Sequence, residues 1–223
     1  MIAWKATLAI FMTPSRPARK WHDEKMSEDL VIGTDGLARP LWASTNAMLR
    51  DYYDSEWGMP VTEEQALFER LCLEGFQSGL SWSTILAKRE NFRAAFCDFN
   101  PQLVASFTDS DYQRLMSDPG IVRNKLKIRA TINNAQATLD LRASGGLSAF
   151  IWSFKPEFTP EPRTYTEIPT QSIESKALAN ALKKHGFKFV GPTTMYALME
   201  AVGIVDTHLV GSHRRGSSGI WTK

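Results

Sequence analysis

The residue best placed to do chemistry is Glu74, within residues 73–82 (Leu-Glu-Gly-Phe-Gln-Ser-Gly-Leu-Ser-Trp). Leu67, Leu71 and Glu74 stand at i, i+4 and i+7, so a helix puts the carboxylate on its apolar face. A carboxylate turned inward either has an arginine or backbone amide for a partner or has a chemical task, because a lone charge is costly to bury. A second group is aromatic: Trp42, then Tyr52, Tyr53 and Trp57 in residues 51–58 (Asp-Tyr-Tyr-Asp-Ser-Glu-Trp-Gly). Such rings either fill a core or wall a slot for a flat base, where stacking contributes about 1–3 kcal/mol per base. A third is the segment 183–194 (Lys-Lys-His-Gly-Phe-Lys-Phe-Val-Gly-Pro-Thr-Thr). Gly186 and Gly191 bracket a turn that Phe187, Phe189 and Val190 are expected to anchor inward. The turn leads to a helix start at Pro192, where Thr193 and its neighbours offer free N–H groups. With Lys183, Lys184 and Lys188 alongside, this suits a DNA phosphate, although an ordinary corner between two helices has the same pattern.

These groups need a scaffold, and the chain supplies helices. Thr62-Glu63-Glu64-Gln65 reads as a capping box with Thr62 as the cap. Ser81 can cap a helix whose face is Trp82, Ile85, Leu86, Phe92 and Phe96. Asn100-Pro101 opens a short helix, and 108–116 forms another before the Asp118-Pro119-Gly120 turn. Ile128, Ile132, Ala135 and Leu139 repeat at helical spacing until Gly145-Gly146. Residues 155–170 are rich in proline and read as a loop. A helix over 172–185 ends at Gly186, and the one from Pro192 carries Tyr196, Met199 and Val202 on one face. Strand-like alternation is nearly absent, so the expected class is all-α.

The 223 residues suit one domain: an extension over 1–36, a helical domain over 37–215 and a tail over 216–223. Net charge is only +2, from 26 basic and 24 acidic residues, so any basic surface must come from local clustering. Cys72 and Cys97 sit among apolar residues, which predicts two buried free thiols in a reducing compartment. No stretch is long enough to span a membrane. The apolar run 2–12 lacks the preceding basic region of a secretory signal. A disordered extension, an early start codon and an organellar targeting segment within residues 1–25 all stay open, with the cytoplasm as the default location.

Taken together and in order, these blocks resemble the 3-methyladenine DNA glycosylase I family. Its Asp-x-Glu-Trp-Gly block stands here as Asp54-Ser55-Glu56-Trp57-Gly58, and its Leu-Glu-Gly-x-Gln-x-Gly-Leu-Ser-Trp block as residues 73–82. Residues 88–93 (Lys-Arg-Glu-Asn-Phe-Arg), 120–123 (Gly-Ile-Val-Arg) and 182–191 follow in register. The resemblance runs over 39–211. It implies the helix-hairpin-helix glycosylase fold, two helical lobes with a base pocket between them, and hydrolysis of the N-glycosidic bond of 3-methyladenine in alkylated double-stranded DNA, releasing free 3-methyladenine. By resemblance Glu74 is the carboxylate that meets the adenine edge, and Trp42, Tyr52, Trp57 and Trp82 line or support the pocket. Leu80 is the candidate wedge that replaces the flipped base. Gly186, Lys188, Gly191 and Thr193 are the candidates for DNA contact.

The sequence departs from the family in two places. Members commonly have a zinc site made of two cysteines and two histidines that joins the chain's two ends. The matching positions are Pro40, Tyr53, His208 and Ser212, of which only His208 can bind a metal. The expectation is therefore no metal and no cofactor, with Tyr53 filling the space. Leu49 replaces a pocket tyrosine, which predicts the loss of one aromatic contact. Asp206 is a second candidate for electrostatic stabilisation, with a helix cap beside His208 as its alternative role. The tail His213-Arg214-Arg215 either touches phosphate or is merely solvated. No lysine occupies a nucleophile position, so no Schiff base is expected. The protein is expected to act as a monomer away from membranes. A binding module without turnover and a glycosylase for another modified base remain as rivals.

Overall fold

The computed structural model describes residues 27–221. Among them a two-stranded antiparallel hairpin, β1 (Leu30–Ile32) and β2 (Ala38–Pro40), precedes ten α-helices. They are α1 (Ala47–Ser55), α2 (Glu64–Gln77), α3 (Trp82–Ala87), α4 (Arg89–Ala95), α5 (Pro101–Ala105), α6 (Asp109–Ser117), α7 (Lys125–Leu141), α8 (Gly146–Trp152), α9 (Ile173–Lys184) and α10 (Pro192–Ala201). The class is all-α as expected. Among the described residues, no helix is long and apolar enough to cross a membrane. The targeting and start-codon questions concern residues outside the described ones.

Helix α2 is the axis. Its residues from Leu67 to Phe76 are all buried, and it touches α3, α7, α8 and α10. A helix covered on every side belongs in the middle of a domain. Around it Phe68, Phe76, Phe92, Phe96 and Phe99 form the aromatic heart of one lobe. The hairpin, α1 and the chain end form the other side.

Local signals fix the helix starts. Asn100 accepts from the amides of Gln102 and Leu103, with Pro101 at the first helical position. Thr108 and Asp111 form a reciprocal capping box, as do Ser172 and Ser175. Several expectations need correction. The cap of α2 is Glu63, whose carboxylate takes the Ala66 amide at 2.7 Å; Thr62 does not cap it. The run from Trp82 to Phe96 is not one helix. It kinks at Lys88, whose Nζ reaches the carbonyls of Pro119 and Gly120 at 3.2 and 3.1 Å. Gly145, at φ +100°, does end a helical stretch, but α8 starts immediately afterwards. Cys72 is buried as expected, whereas Cys97 is exposed, in a left-handed turn.

Folded structure also extends past both expected domain edges. β1 lies inside the segment expected to be an extension, because its amides and carbonyls pair with β2. At the other end, Gly216 donates its amide to Asp206, Trp221 Nε1 bonds the Gly203 carbonyl and Lys155 Nζ sits 3.7 Å from the Trp221 ring centre.

Candidate active site

Glu74 sits one turn from the end of α2, 5% exposed. Among the described residues no hydrogen bond reaches its carboxylate. The chain then leaves the helix through Gly79, at φ +79°, and re-enters one where Ser81 accepts the Thr84 amide at 3.2 Å. Trp82 is therefore the first residue of α3 and shares a cavity wall with Glu74. This turn is clamped from behind by Lys127 of α7, whose Nζ donates to the carbonyls of Phe76 at 2.8 Å and Ser78 at 2.6 Å. A cation on the last carbonyls of a helix is favourable for both partners. Burial holds the Lys127 ammonium below its ordinary pKa.

The aromatic residues come from elsewhere in the chain. Trp42 lies in a short 3-10 turn after β2, Tyr52 is on α1 and Trp57 follows it. Tyr52 and Trp82 approach to 5.3 Å between ring centres, tilted by 43°, and Trp42 meets Trp57 edge-on at 5.8 Å. With Glu74 these four rings line a cavity of about 330 Å³, completed by Gln77, Tyr165, Ile168, Ala197 and Glu200. That volume is at the small end for ligand pockets and leaves room for a flat base.

An ion-pair ladder holds the wall in place. Glu56 accepts from Arg70 and from Arg89, the latter at 2.7 Å, and Arg89 also bonds Glu69 at 2.6 Å. Burial works against the Glu56 charge, but the two guanidinium groups bring its pKa below the usual range. Within the pocket the balance is the opposite. Burial, reinforced by the Glu200 charge and only partly offset by Arg70, pushes Glu74 up to about 8. Burial likewise raises Glu200 to about 7, opposed by a hydrogen bond from Thr207. Burial also pushes the Tyr52 hydroxyl up.

The hairpin between α9 and α10 abuts the same helix end. Asn134 of α7 bonds both the amide and the carbonyl of Lys188, at 2.8 and 3.0 Å, and Asn133 Nδ2 donates to the Gly186 carbonyl at 2.8 Å. Phe187 and Val190 are buried as expected. Phe189 is not: it is 38% exposed, takes a φ of +57° and lies against Gly75. The lysines of this hairpin, Lys183, Lys184 and Lys188, are all exposed. Gly191 caps α10 without a side chain, and Thr193 follows Pro192 in its exposed first turn. Leu80, 41% exposed, stands on the clamped turn.

Asp206 does not line the cavity. Its carboxylate takes the His208 ring at 2.7 Å and the Gly216 amide at 2.9 Å. Burial opposes its charge, but these bonds and Arg215 keep its pKa low. The same carboxylate also accepts the His208 amide at 3.0 Å. The tail is tied inward as well: Arg215 bonds the carbonyls of Asp206 and His208, and His213 bonds Ala38. Leu49 is buried and does not line the cavity, whereas Tyr165, from the segment expected to be a loop, adds a ring to the wall.

The chemistry of the residues at the four zinc-matching positions does not fit a zinc ion. Pro40 offers no side-chain donor. Tyr53 and Ser212 hydrogen-bond to each other through their hydroxyls, and His208 Nδ1 is taken by Asp206. Tyr53 is fully buried, stacked 5.7 Å from Trp57, and the His208 ring meets Trp57 edge-on at 4.6 Å. Gly58 must lack a side chain because a Cβ there would overlap the His208 ring. The two chain ends are joined by packing, by the Tyr53–Ser212 hydroxyl pair and by His213, which bonds the Ala38 carbonyl at 2.9 Å and lies 3.2 Å from the Asp54 carboxylate.

With this fold and this pocket the molecule falls in the helix-hairpin-helix class of DNA glycosylases. Within that class the match is specific: residues 42–215 match the methyladenine glycosylase family, and the chain belongs to it. It is 48% identical over 174 residues to DNA-3-methyladenine glycosylase 1 of Escherichia coli (strain K12), covering 76% of this chain and 92% of that protein. A crystal structure of 3-methyladenine DNA glycosylase I superimposes with a TM-score of 0.76 at 43% identity, covering 78% of this chain and 98% of the other. The 3-methyladenine DNA glycosylase I of Staphylococcus aureus, solved for the structural basis of its 3-methyladenine recognition, gives a TM-score of 0.71 at 38% identity, over 77% and 93% of the two chains.

The sequence reading does not single out Glu200, Gln77, Tyr165 or Lys127. Gln77 lies one turn beyond Glu74 on the same helix, and Glu200 one turn beyond Tyr196 on an apolar face. Both spacings are usable signals. The inward position of Lys127 has none, because its partners are backbone carbonyls.

Proposed function

We propose that this chain hydrolyses the N-glycosidic bond of 3-methyladenine in alkylated double-stranded DNA, with Glu74 as the carboxylate that receives the base. The observation that carries this reading is an inward carboxylate, free of hydrogen bonds among the described residues, in a ring-walled cavity with room for a base. Methylation at N3 leaves the adenine cationic. Aromatic faces attract such a cation by about 0.5–2 kcal/mol per good contact. An arriving cation also draws the proton off Glu74, which burial had favoured, and the carboxylate then accepts from the exocyclic amine. When the bond between C1′ and N9 breaks, its electron pair stays on N9 and the base departs neutral. Water adds to C1′ and gives its proton to solvent. The damaged base leaves readily, so the pocket contributes selection and electrostatic help more than strong base catalysis. Leu80 fills the gap left by the flipped base. The hairpin with Gly186, Lys188, Gly191 and Thr193 grips phosphate, and the protein acts as a monomer.

The test is release of free 3-methyladenine from methylated DNA. Glu74→Gln is expected to slow it about tenfold to a hundredfold with DNA binding kept. Wild-type protein that binds DNA without releasing the base would overturn the reading in favour of a binding module.

A further inference from the structure

Glu74 shares its cavity with a second acid. Glu200 comes from the last turn of α10 and lines the same space. Its Oε1 accepts the Thr207 hydroxyl at 2.6 Å, and among the described residues no cation pairs with it. The titratable groups that share its cavity or sense its charge are Glu74 from α2, Tyr52 from α1, Tyr165 from the 165–167 turn and Tyr196 one turn back on α10, with Arg70 of α2 acting on Glu74. The one cation of this set, Arg70, gives one guanidinium nitrogen to Glu56, which Arg89 shares, and bonds neither pocket acid. The cavity lining thus carries two acids and no cation, with the Arg70 charge behind it offsetting Glu74 only in part.

We propose that Glu200 is a second recognition carboxylate: together with Glu74 it makes the pocket select positive charge on the base, taking an N-alkylated purinium over the neutral purine of the same shape. This rests on the base-pocket reading above. Burial and mutual repulsion make the empty pocket retain protons near neutral pH. A neutral purine would leave those protons where they are. A purinium supplies the missing counter-charge, so both acids ionise and protons leave as the base enters. Shape alone admits either base; the pair of charges distinguishes them.

The probes are 3,9-dimethyladeninium, which is permanently cationic, and neutral 9-methyladenine. Titration calorimetry near neutral pH, in two buffers of different ionisation heat, reads affinity and proton release. Glu200→Gln is expected to weaken the cation about tenfold or more, the effect of one partly screened charge, and to leave the neutral base unchanged or tighter. Glu74→Gln keeps Glu200, so the cation should still expel a proton from that variant and from the double variant none. Equal losses for both probes in Glu200→Gln, or no proton release in a folded Glu74→Gln, would overturn the proposal. If wild-type protein releases 3-methyladenine from DNA while Glu200→Gln binds the cation normally, only the role of Glu200 fails. If wild-type protein releases none and binds neither probe, the base-pocket reading fails and takes this one with it.

Discussion

Replacing Glu74 by glutamine should make the protein more stable while making it a worse enzyme. The folded protein holds the Glu74 proton to higher pH than an unfolded chain does, about 8 against an ordinary 4.5. Protonation therefore stabilises the fold fully below about pH 4.5, and that stabilisation is lost as the pH rises toward 8. Across that whole interval, at about 1.4 kcal/mol per tenfold, the difference is roughly 5 kcal/mol. Relaxation of the pocket and charge sharing with Glu200 reduce the expected value to about 2–4 kcal/mol. Glutamine is neutral at every pH and mimics the protonated acid. Urea denaturation of both proteins at about pH 5 and about pH 9 reads the difference directly. The curves should nearly coincide at the lower pH, and the variant should be the more stable at the higher. A gap that is the same at both pH values, or a variant less stable at about pH 9, would refute the argument that this carboxylate is buried without compensation. The native glutamate is kept for the charge it presents to a base, at a cost in stability.

Two further outcomes follow from the same geometry. Tyr53→Phe removes the buried hydroxyl pair with Ser212, whose Oγ keeps the Arg214 amide, and should cost about 0.5–1.5 kcal/mol; a melting curve run with and without a chelator should show the loss from the substitution and none from the chelator. Leu80→Ala touches an exposed side chain, so stability should stay within about 0.5 kcal/mol while base release from duplex DNA falls; unchanged release would remove the wedge.

The helices were legible because their signals are local. Asn100, Thr108 and Ser172 cap within three residues of themselves, and the spacing of Leu67, Leu71 and Glu74 needs only one helix to be read. Glu74, Trp57 and Trp82 could be named because motifs carry them, and Trp42 and Tyr52 because they stand close before those motifs in an aromatic group. What could not be read depends on partners far along the chain. Tyr165 reaches the pocket from a proline-rich segment whose composition says only that it is irregular. Lys127 looks like any surface lysine until α2 ends against it. Phe189 is expected inside on its chemistry, but the left-handed turn at that residue directs it along Gly75. At the kink, Lys88 meets carbonyls more than thirty residues away, which its own neighbours do not announce.

The closure between the chain ends has a consequence for where such a protein can work. The agents that methylate adenine are electrophiles, and they attack thiolates faster than they attack hydroxyl or buried ring atoms. Here the seam is made of Tyr53, Ser212, Trp57 and His208, with the His208 ring inside the protein. Cys72 is buried and burial pushes its thiol well above the ordinary range, and Cys97 lies in the turn between α4 and α5 and is not one of the seam residues. The joint that keeps the pocket wall in register thus presents no soft nucleophile. A cell flooded with methylating agent would damage its DNA without, by the same chemistry, unfastening the protein that clears the lesion.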